Sequence, residues 1–327
     1  MMKKVLMVAA ALSCAFSPGA FAEEPAWPSK AVKIVLPYPP GSGIDALIRT
    51  LGAQLSTVWK KPVLIENRPG ANTIIGAQLV ASSAPDGHTL LFTSDSTITS
   101  NPFLYKNLPY SPQKDFTPVA LIATSTLVLS ARKDLPANSL KELVAYAKGR
   151  PEGATYASLG LGSQHHLLSE VMEKKTGMPL RHIPYKGQSA AMLALMTGEV
   201  DLSWSSRFAL APLLRDNKAK AVAQAGPVRS SSMPDVPTFA ELGYPEVSMP
   251  IWFGIFAPRA TPSDIVRKVH GDIMKVVSDP EFIKKEILSK GYEAVPATLT
   301  SEEFADRIRQ ELPKMQEMIQ ASGTKLD

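Results

Sequence analysis

The chain has 327 residues, 45% of them apolar, a formal net charge of +5 and one cysteine. That length and apolar share can bury a core for two domains, and the basic residues are interspersed with acidic ones, which disfavours nucleic-acid or membrane-surface binding. The single Cys14 excludes an internal disulfide framework, and beyond it no thiolate nucleophile or metal ligand remains.

Lys3 and Lys4, the apolar run from Val5 to Phe16 and the closing Ser17-Pro18-Gly19-Ala20-Phe21-Ala22 have the basic, apolar, small-residue order of a secretory signal peptide. The apolar run is too short to span a bilayer comfortably. Cys14 follows Ala11-Leu12-Ser13, a poor match to a lipoprotein acylation site. Residues 1–22 are therefore expected to leave, and the mature chain to begin at Glu23.

Val32-Lys33-Ile34-Val35-Leu36 is a β-branched run that meets Pro37-Tyr38-Pro39-Pro40-Gly41-Ser42-Gly43 and then Ile44-Asp45-Ala46-Leu47-Ile48-Arg49 at helical spacing. Strand, loop and helix start in that order expose backbone N–H groups at the positive end of a helix dipole, which suits a carboxylate or phosphate. Gly41 and Gly43 permit close backbone approach, and Ser42 can cap the helix and add a hydroxyl. A capped structural loop without a ligand fits the same residues.

The pattern predicts a helix continuing through Leu55, a strand at 63–65, a helix from Ile74 to Ser82 and a strand at 89–93, the last running into Ser94-Asp95-Ser96-Thr97. Strands alternating with helices predict an α/β fold with parallel sheets, whose ligands sit beyond the carboxyl ends of strands. Ser94 and Ser96 lie at such an end.

Pro39-Pro40-Gly41, Glu66-Asn67-Arg68-Pro69-Gly70, Pro85-Asp86-Gly87-His88-Thr89-Leu90-Leu91 and Asn101-Pro102-Phe103-Leu104-Tyr105 occur in this order, followed by Tyr185-Lys186-Gly187, Pro234-Asp235-Val236-Pro237-Thr238 and Trp252-Phe253-Gly254 with Ala257-Pro258. Together they resemble the substrate-binding proteins of the tripartite tricarboxylate transporter system, the Bug or TctC-like family, across essentially the whole mature chain. The resemblance implies a two-lobed, type II-like periplasmic-binding-protein fold with a mixed sheet flanked by helices in each lobe and the ligand cleft between them. It also implies a monomer in the periplasm that needs no cofactor and hands its solute to a membrane permease.

Leu121 to Ser130 reads as one long strand crossing a hinge, and a capped helix follows over 140–148. A strand at 155–157 then leads into Ser158-Leu159-Gly160-Leu161-Gly162-Ser163 and the helix start Gln164-His165-His166, repeating the opening design. The resemblance implies that the two loops, Pro40 to Asp45 and Ser158 to Ser163, hold a carboxylate through amides, hydroxyls and bridging waters. Asp45 is an odd anion ligand: it can cap its own helix, hold a water or meet a donor on the solute. His165 and His166 point about 100° apart on a helix and do not form an i, i+4 metal pair. One is expected to face the cleft or cap the loop while the other packs.

Tyr185 ends the strand 182–184, and a helix runs from Ser189 to Met196. Lys186 can attract an anion, although an exposed lysine fits equally. The strand 200–204 ends at Ser205-Ser206-Arg207-Phe208, where Arg207 can take a second carboxylate bidentately, with Trp204 or Phe208 covering a ring. A surface salt bridge is the competing description of Arg207. A strand over 219–225, a Pro-rich connector over 226–237, a returning strand over 251–256 and helices over about 264–277, 280–289 and 301–320 complete the chain. The expected lobes are 23–124 with about 247–327, and about 125–246.

No G-x-S-x-G, H-E-x-x-H or Walker A pattern occurs, and His165 occupies the place of the third glycine in a dinucleotide fingerprint that would begin at Gly160. The expected function is capture of a small organic carboxylate, a dicarboxylate and among those an aromatic one such as terephthalate, for a tripartite-type transporter. A ligand sensor for a signalling receptor is the alternative, and a periplasmic enzyme a weaker one.

Overall fold

The computed structural model describes residues 27–326 except Ser231 and Pro250; the expected leader at residues 1–22, with Cys14, lies outside the described residues. The chain begins with β1 (Val32–Leu36), α1 (Gly43–Trp59), β2 (Val63–Asn67), α2 (Ile74–Ala81), β3 (Thr89–Ser94), a π-helical turn at Ser96–Ser100, α3 (Asn101–Leu104), α4 (Pro112–Asp115) and β4 (Phe116–Ser125). It continues through β5 (Leu127–Arg132), α5 (Leu140–Lys148), β6 (Ala154–Ser158), α6 (Gln164–Thr176), β7 (Leu180–Pro184), α7 (Gln188–Thr197), β8 (Leu202–Ser206), α8 (Arg207–Arg215) and β9 (Ala219–Gln224). After a long connector come β10 (Ile251–Pro258), α9 (Ser263–Val277), α10 (Pro280–Phe282), β11 (Glu293–Ala294) and α11 (Ser301–Ser322).

These strands form two mixed sheets. Sheet 1 has the order β11-β4-β10-β3-β1-β2, and sheet 2 the order β7-β6-β8-β5-β9. In sheet 1, β1 pairs in parallel with β2 and β3, while β10 runs antiparallel between β3 and β4. In sheet 2, β6 pairs in parallel with β7 and β8, and β5 runs antiparallel to β8 and β9. The loops after β1, β3, β6, β7 and β8 therefore emerge from carboxyl ends of parallel strands, where α/β sheets bind ligands.

The expected single strand from Leu121 to Ser130 is two strands. β4 belongs to sheet 1 and β5 to sheet 2: pairing with β10 ends at Ser125, pairing with β8 begins at Leu127, and the strand breaks at Thr126 between them. Gly226 lies against this break: a Cβ there would stand 3.0 Å from Thr126 Cγ2 and Oγ1. The expected helix over 280–289 is also segmented, into α10, a π-helical turn at Ile283–Ile287 and a 3-10 turn at Leu288–Lys290.

Burial explains the placement of the flanking helices. Leu47, Ile48, Leu51 and Leu55 of α1 join Val269 and Ile273 of α9 against Ile34, Phe92 and Ile255 of sheet 1. Around sheet 2, Leu167, Leu168 and Met172 of α6 pack on Tyr156, Leu129 and Trp204. α11 lies across both cores: Phe304 and Ile308 meet Trp252 and Phe256, while Met315 and Ile319 enter the core of sheet 2. It begins with a full capping box between Thr300 and Glu303.

Candidate functional site

The first loop is shaped by Asp45. Its carboxylate accepts the Gly41 N–H at 3.0 Å, Arg49 Nε at 3.1 Å and Asn67 Nδ2 at 2.9 Å, and its own N–H is capped by Ser42 Oγ at 3.2 Å. Burial opposes its ionisation, but the Arg49, Gly41 and Asn67 donors outweigh it and hold the carboxyl below its ordinary value. Asp45 is thus committed to the protein as the brace of the loop. The Gly41 amide is occupied as well, and among the described residues no acceptor takes the N–H groups of Ser42, Gly43 and Ile44. Pro40, Gly41 and Ser42 are exposed, Gly43 is half-buried and Ile44 is buried, and the three amides without an acceptor stand at the positive end of a helix of 17 residues.

The second loop is built by a different set of contacts. Ser158 is fully buried; its Oγ accepts the Gly160 N–H at 2.9 Å and contacts His182 Nε2. Ser163 caps α6 by accepting the His166 N–H at 3.3 Å and donates to Gly160 O at 2.6 Å. Gly160 and Gly162 hold φ of +108° and +73°, and a Cβ on Gly162 would stand 2.6 Å from Leu326 Cδ1. Only glycine fits Gly162 without displacement. Among the described residues the N–H groups of Leu161, Gln164 and His165 have no acceptor, so a second set of helix-start amides is free.

Three imidazoles stand behind this loop. His166 Nδ1 accepts the Gly162 N–H at 3.4 Å, and its ring lies 4.7 Å from that of His182. His165 is buried, with Nε2 on Gln188 Oε1 at 3.2 Å and Nδ1 unpartnered. Burial pushes His165 down to about 4, and burial followed by the neighbouring His166 does the same to His182. Burial lowers His166 as well, so the surroundings of all three rings favour the neutral form. Among the described residues no group of three or more His, Cys, Asp or Glu is placed to hold a metal ion.

The two lobes meet around these loops. Gln164, the first residue of α6, donates Nε2 to both Asp95 oxygens at 2.7 and 2.6 Å. Arg207 reaches across to donate to Leu288 O at 3.0 Å, and its Nε is buried without a partner. A Cβ on Gly43 would lie 3.1 Å from Tyr292 Oη and 3.7 Å from Phe208 Cδ1, so aromatic rings of both lobes stand over the first loop.

Several expected residues are placed differently. Trp204 does not cover a ring: the alternation of β8 turns it into the core of sheet 2, fully buried, with Nε1 on Ser169 Oγ at 2.9 Å. The Tyr185 amide bonds Ser158 O beside the second loop, yet its hydroxyl donates to Glu199 Oε1 at 2.7 Å. Tyr38 and Ser94 do come together, Tyr38 Oη donating to Ser94 Oγ at 2.7 Å, and the Ser96 N–H bonds the same oxygen at 3.3 Å. Sequence reasoning missed Asp95, Gln164, Tyr292 and the whole of α8. Gln164 and Asp95 are 69 residues apart, Tyr292 follows an irregular segment, and Pro212 inside α8 masks its helical pattern.

Residues 47–324 match the model of the tripartite tricarboxylate transporter family receptor. The chain is 35% identical over 258 residues to a UPF0065 protein of Bordetella pertussis, covering 79% of this chain and 80% of the relative. It is similar in structure to R. palustris Rpa4515 with adipate, at a TM-score of 0.83 and 30% identity over 92% of this chain and 100% of the other. MatC (Rpa3494) from Rhodopseudomonas palustris with bound malate superposes at a TM-score of 0.80 with 30% identity, covering 90% of this chain and 100% of the other. With its two mixed sheets and paired strand-loop-helix cradles, the chain belongs to the tripartite tricarboxylate transporter receptor family.

Proposed function

We propose that this protein captures a small organic dicarboxylate in the periplasm and delivers it to a tripartite tricarboxylate-type membrane transporter, binding the solute without turning it over. The observation that carries the reading is the pair of free helix-start amide sets, Ser42-Gly43-Ile44 on one lobe and Leu161, Gln164 and His165 on the other. Each can donate to a carboxylate oxygen, and closure removes water that would otherwise weaken those bonds. The lobes are taken as 23–124 with about 247–327, and about 125–246, a division supported by the sheet to which each strand belongs. The adipate and malate of the two similar structures are both dicarboxylates, which favours two carboxylate subsites.

Arg207 is assigned to the second carboxylate through its unpartnered Nε. Export of the chain rests on the leader at residues 1–22. The test is a thermal-shift screen of residues 23–327 against benzoate, adipate, malate, terephthalate, citrate and neutral amino acids. A selective rise with a dicarboxylate, and recovery of that compound unchanged after incubation, supports the reading. No rise with any carboxylate overturns it. Arg207→Ala is expected to weaken a dicarboxylate by about 10-fold to 100-fold, the equivalent of one charge-assisted hydrogen bond, and its monocarboxylate analogue far less. Equal losses for both would remove Arg207 from the site.

A further inference from the structure

Asp95 is fully buried at the end of β3, between Ser94 and Ser96. Other buried aspartates meet cations: Asp45 has Arg49, Asp201 has Arg132 and Asp272 has Lys268. Among the described residues no cation pairs with Asp95. What faces it from α6 is the Gln164 amide; from β10, the Trp252 backbone N–H; from α11, Glu311, a second acidic group that Trp252 Nε1 and Arg307 Nε hold in place; and from the segment after β1, Tyr38. Burial, with Glu311 adding to it against the Gln164 and amide donors, pushes the Asp95 carboxyl up to about 7.

Gln164 is the residue through which Asp95 touches the second loop. It opens α6, and its own N–H and that of His165 are among the free amides of that cradle. An anion seated there adds negative charge close to a buried carboxylate that has no counter-ion. The electrostatic response is protonation. A protonated Asp95 keeps the clasp, its O–H donating to Gln164 Oε1 once the side-chain amide turns over.

We propose that Asp95 is a positioning residue that clasps Gln164 to fix the first turn of α6 and takes up a proton from solvent when an anionic ligand occupies that turn. The ligand half of this rests on the carboxylate reading above. It makes capture of the solute and of a proton one event.

The test is titration calorimetry of adipate, malate and terephthalate at pH 7 in phosphate and in Tris, whose ionisation enthalpies differ, with wild type, Asp95→Asn and Gln164→Ala. Wild type is expected to show net proton uptake and an affinity that tightens by up to about tenfold per pH unit lowered between pH 8 and pH 6, the limit for one linked proton. With Asp95→Asn, buffer-dependent heat and pH dependence of affinity both vanish. With Gln164→Ala, affinity falls and amide exchange at residues 163–167 quickens. Proton uptake that survives in Asp95→Asn, or binding by wild type with none, overturns the proposal. No heat from any probe overturns the carboxylate reading and the ligand-linked half with it. The clasp is then decided on the ligand-free protein: amide exchange at residues 163–167 must quicken in Gln164→Ala and in Asp95→Ala, and exchange unchanged from wild type overturns this half too.

Discussion

Asp45 shows how one side chain sets the chemistry of a loop. It takes the Gly41 amide out of play by holding it on the carboxylate that also takes Arg49 and Asn67, and the next three amides have no acceptor among the described residues. Removing Asp45 leaves the Gly41 N–H without its acceptor and takes one acceptor each from Arg49 and Asn67, so Asp45→Ala is expected to cost roughly 1–3 kcal/mol by chemical denaturation and to weaken any carboxylate that raises the melting temperature. Because its carboxyl lies below its ordinary value in the folded state, its contribution is present above the unfolded value of 3.8 and is lost as pH falls through the lowered folded one. The deficit of Asp45→Ala should therefore shrink in acid. Ser163→Ala removes the α6 cap and should cost about 1 kcal/mol, read in the same denaturation series. At this scale the sequence disclosed residues whose role is local, such as Ser42, Ser163 and the loop glycines. It concealed residues whose role depends on a distant partner, as Asp95 does on Gln164.

The same boundary between local and distant appears in the elements. β1, α1, β6 and α6 follow from β-branched runs, Gly/Ser loops and caps within a few residues, and the structure places them accordingly. The break at Thr126 was not legible, because Leu121 to Ser130 is uniformly apolar and only the presence of two separate sheets divides it. α6 also carries a cost of its design: His165 sits in its first turn, where burial and the positive dipole end both disfavour a cation. Its folded value of about 4 lies below the unfolded 6.5, so stability is full above 6.5 and is lost progressively down to about 4. His165→Gln should remove up to about 3 kcal/mol of that acid loss, at about 1.36 kcal/mol for each pH unit between the two values. Denaturation midpoints of wild type and variant that fall in parallel from pH 7 to pH 4.5 would place the acid sensitivity elsewhere.

In the whole molecule the two sheets carry separate cores, and α11 packs into both of them. Its first half packs Phe304 and Ile308 against sheet 1, and its second half packs Met315 and Ile319 into the core of sheet 2 beside Leu104. β10 also enters both cores, with Ile251 in that of sheet 2 and Trp252 and Phe256 against sheet 1, while α11 places two buried residues on each side. Unfolding of wild type is therefore expected to be one cooperative transition, with calorimetric and van't Hoff enthalpies in agreement. Met315→Ala and Ile319→Ala should each cost about 2–5 kcal/mol from the cavity they leave, and together they should split the transition in two, because sheet 2 loses the apolar contacts α11 makes with it while each sheet keeps the rest of its own core. A double variant that still melts in one step, only at lower temperature, would mean that the strand crossings, rather than α11, hold the lobes in a single cooperative unit.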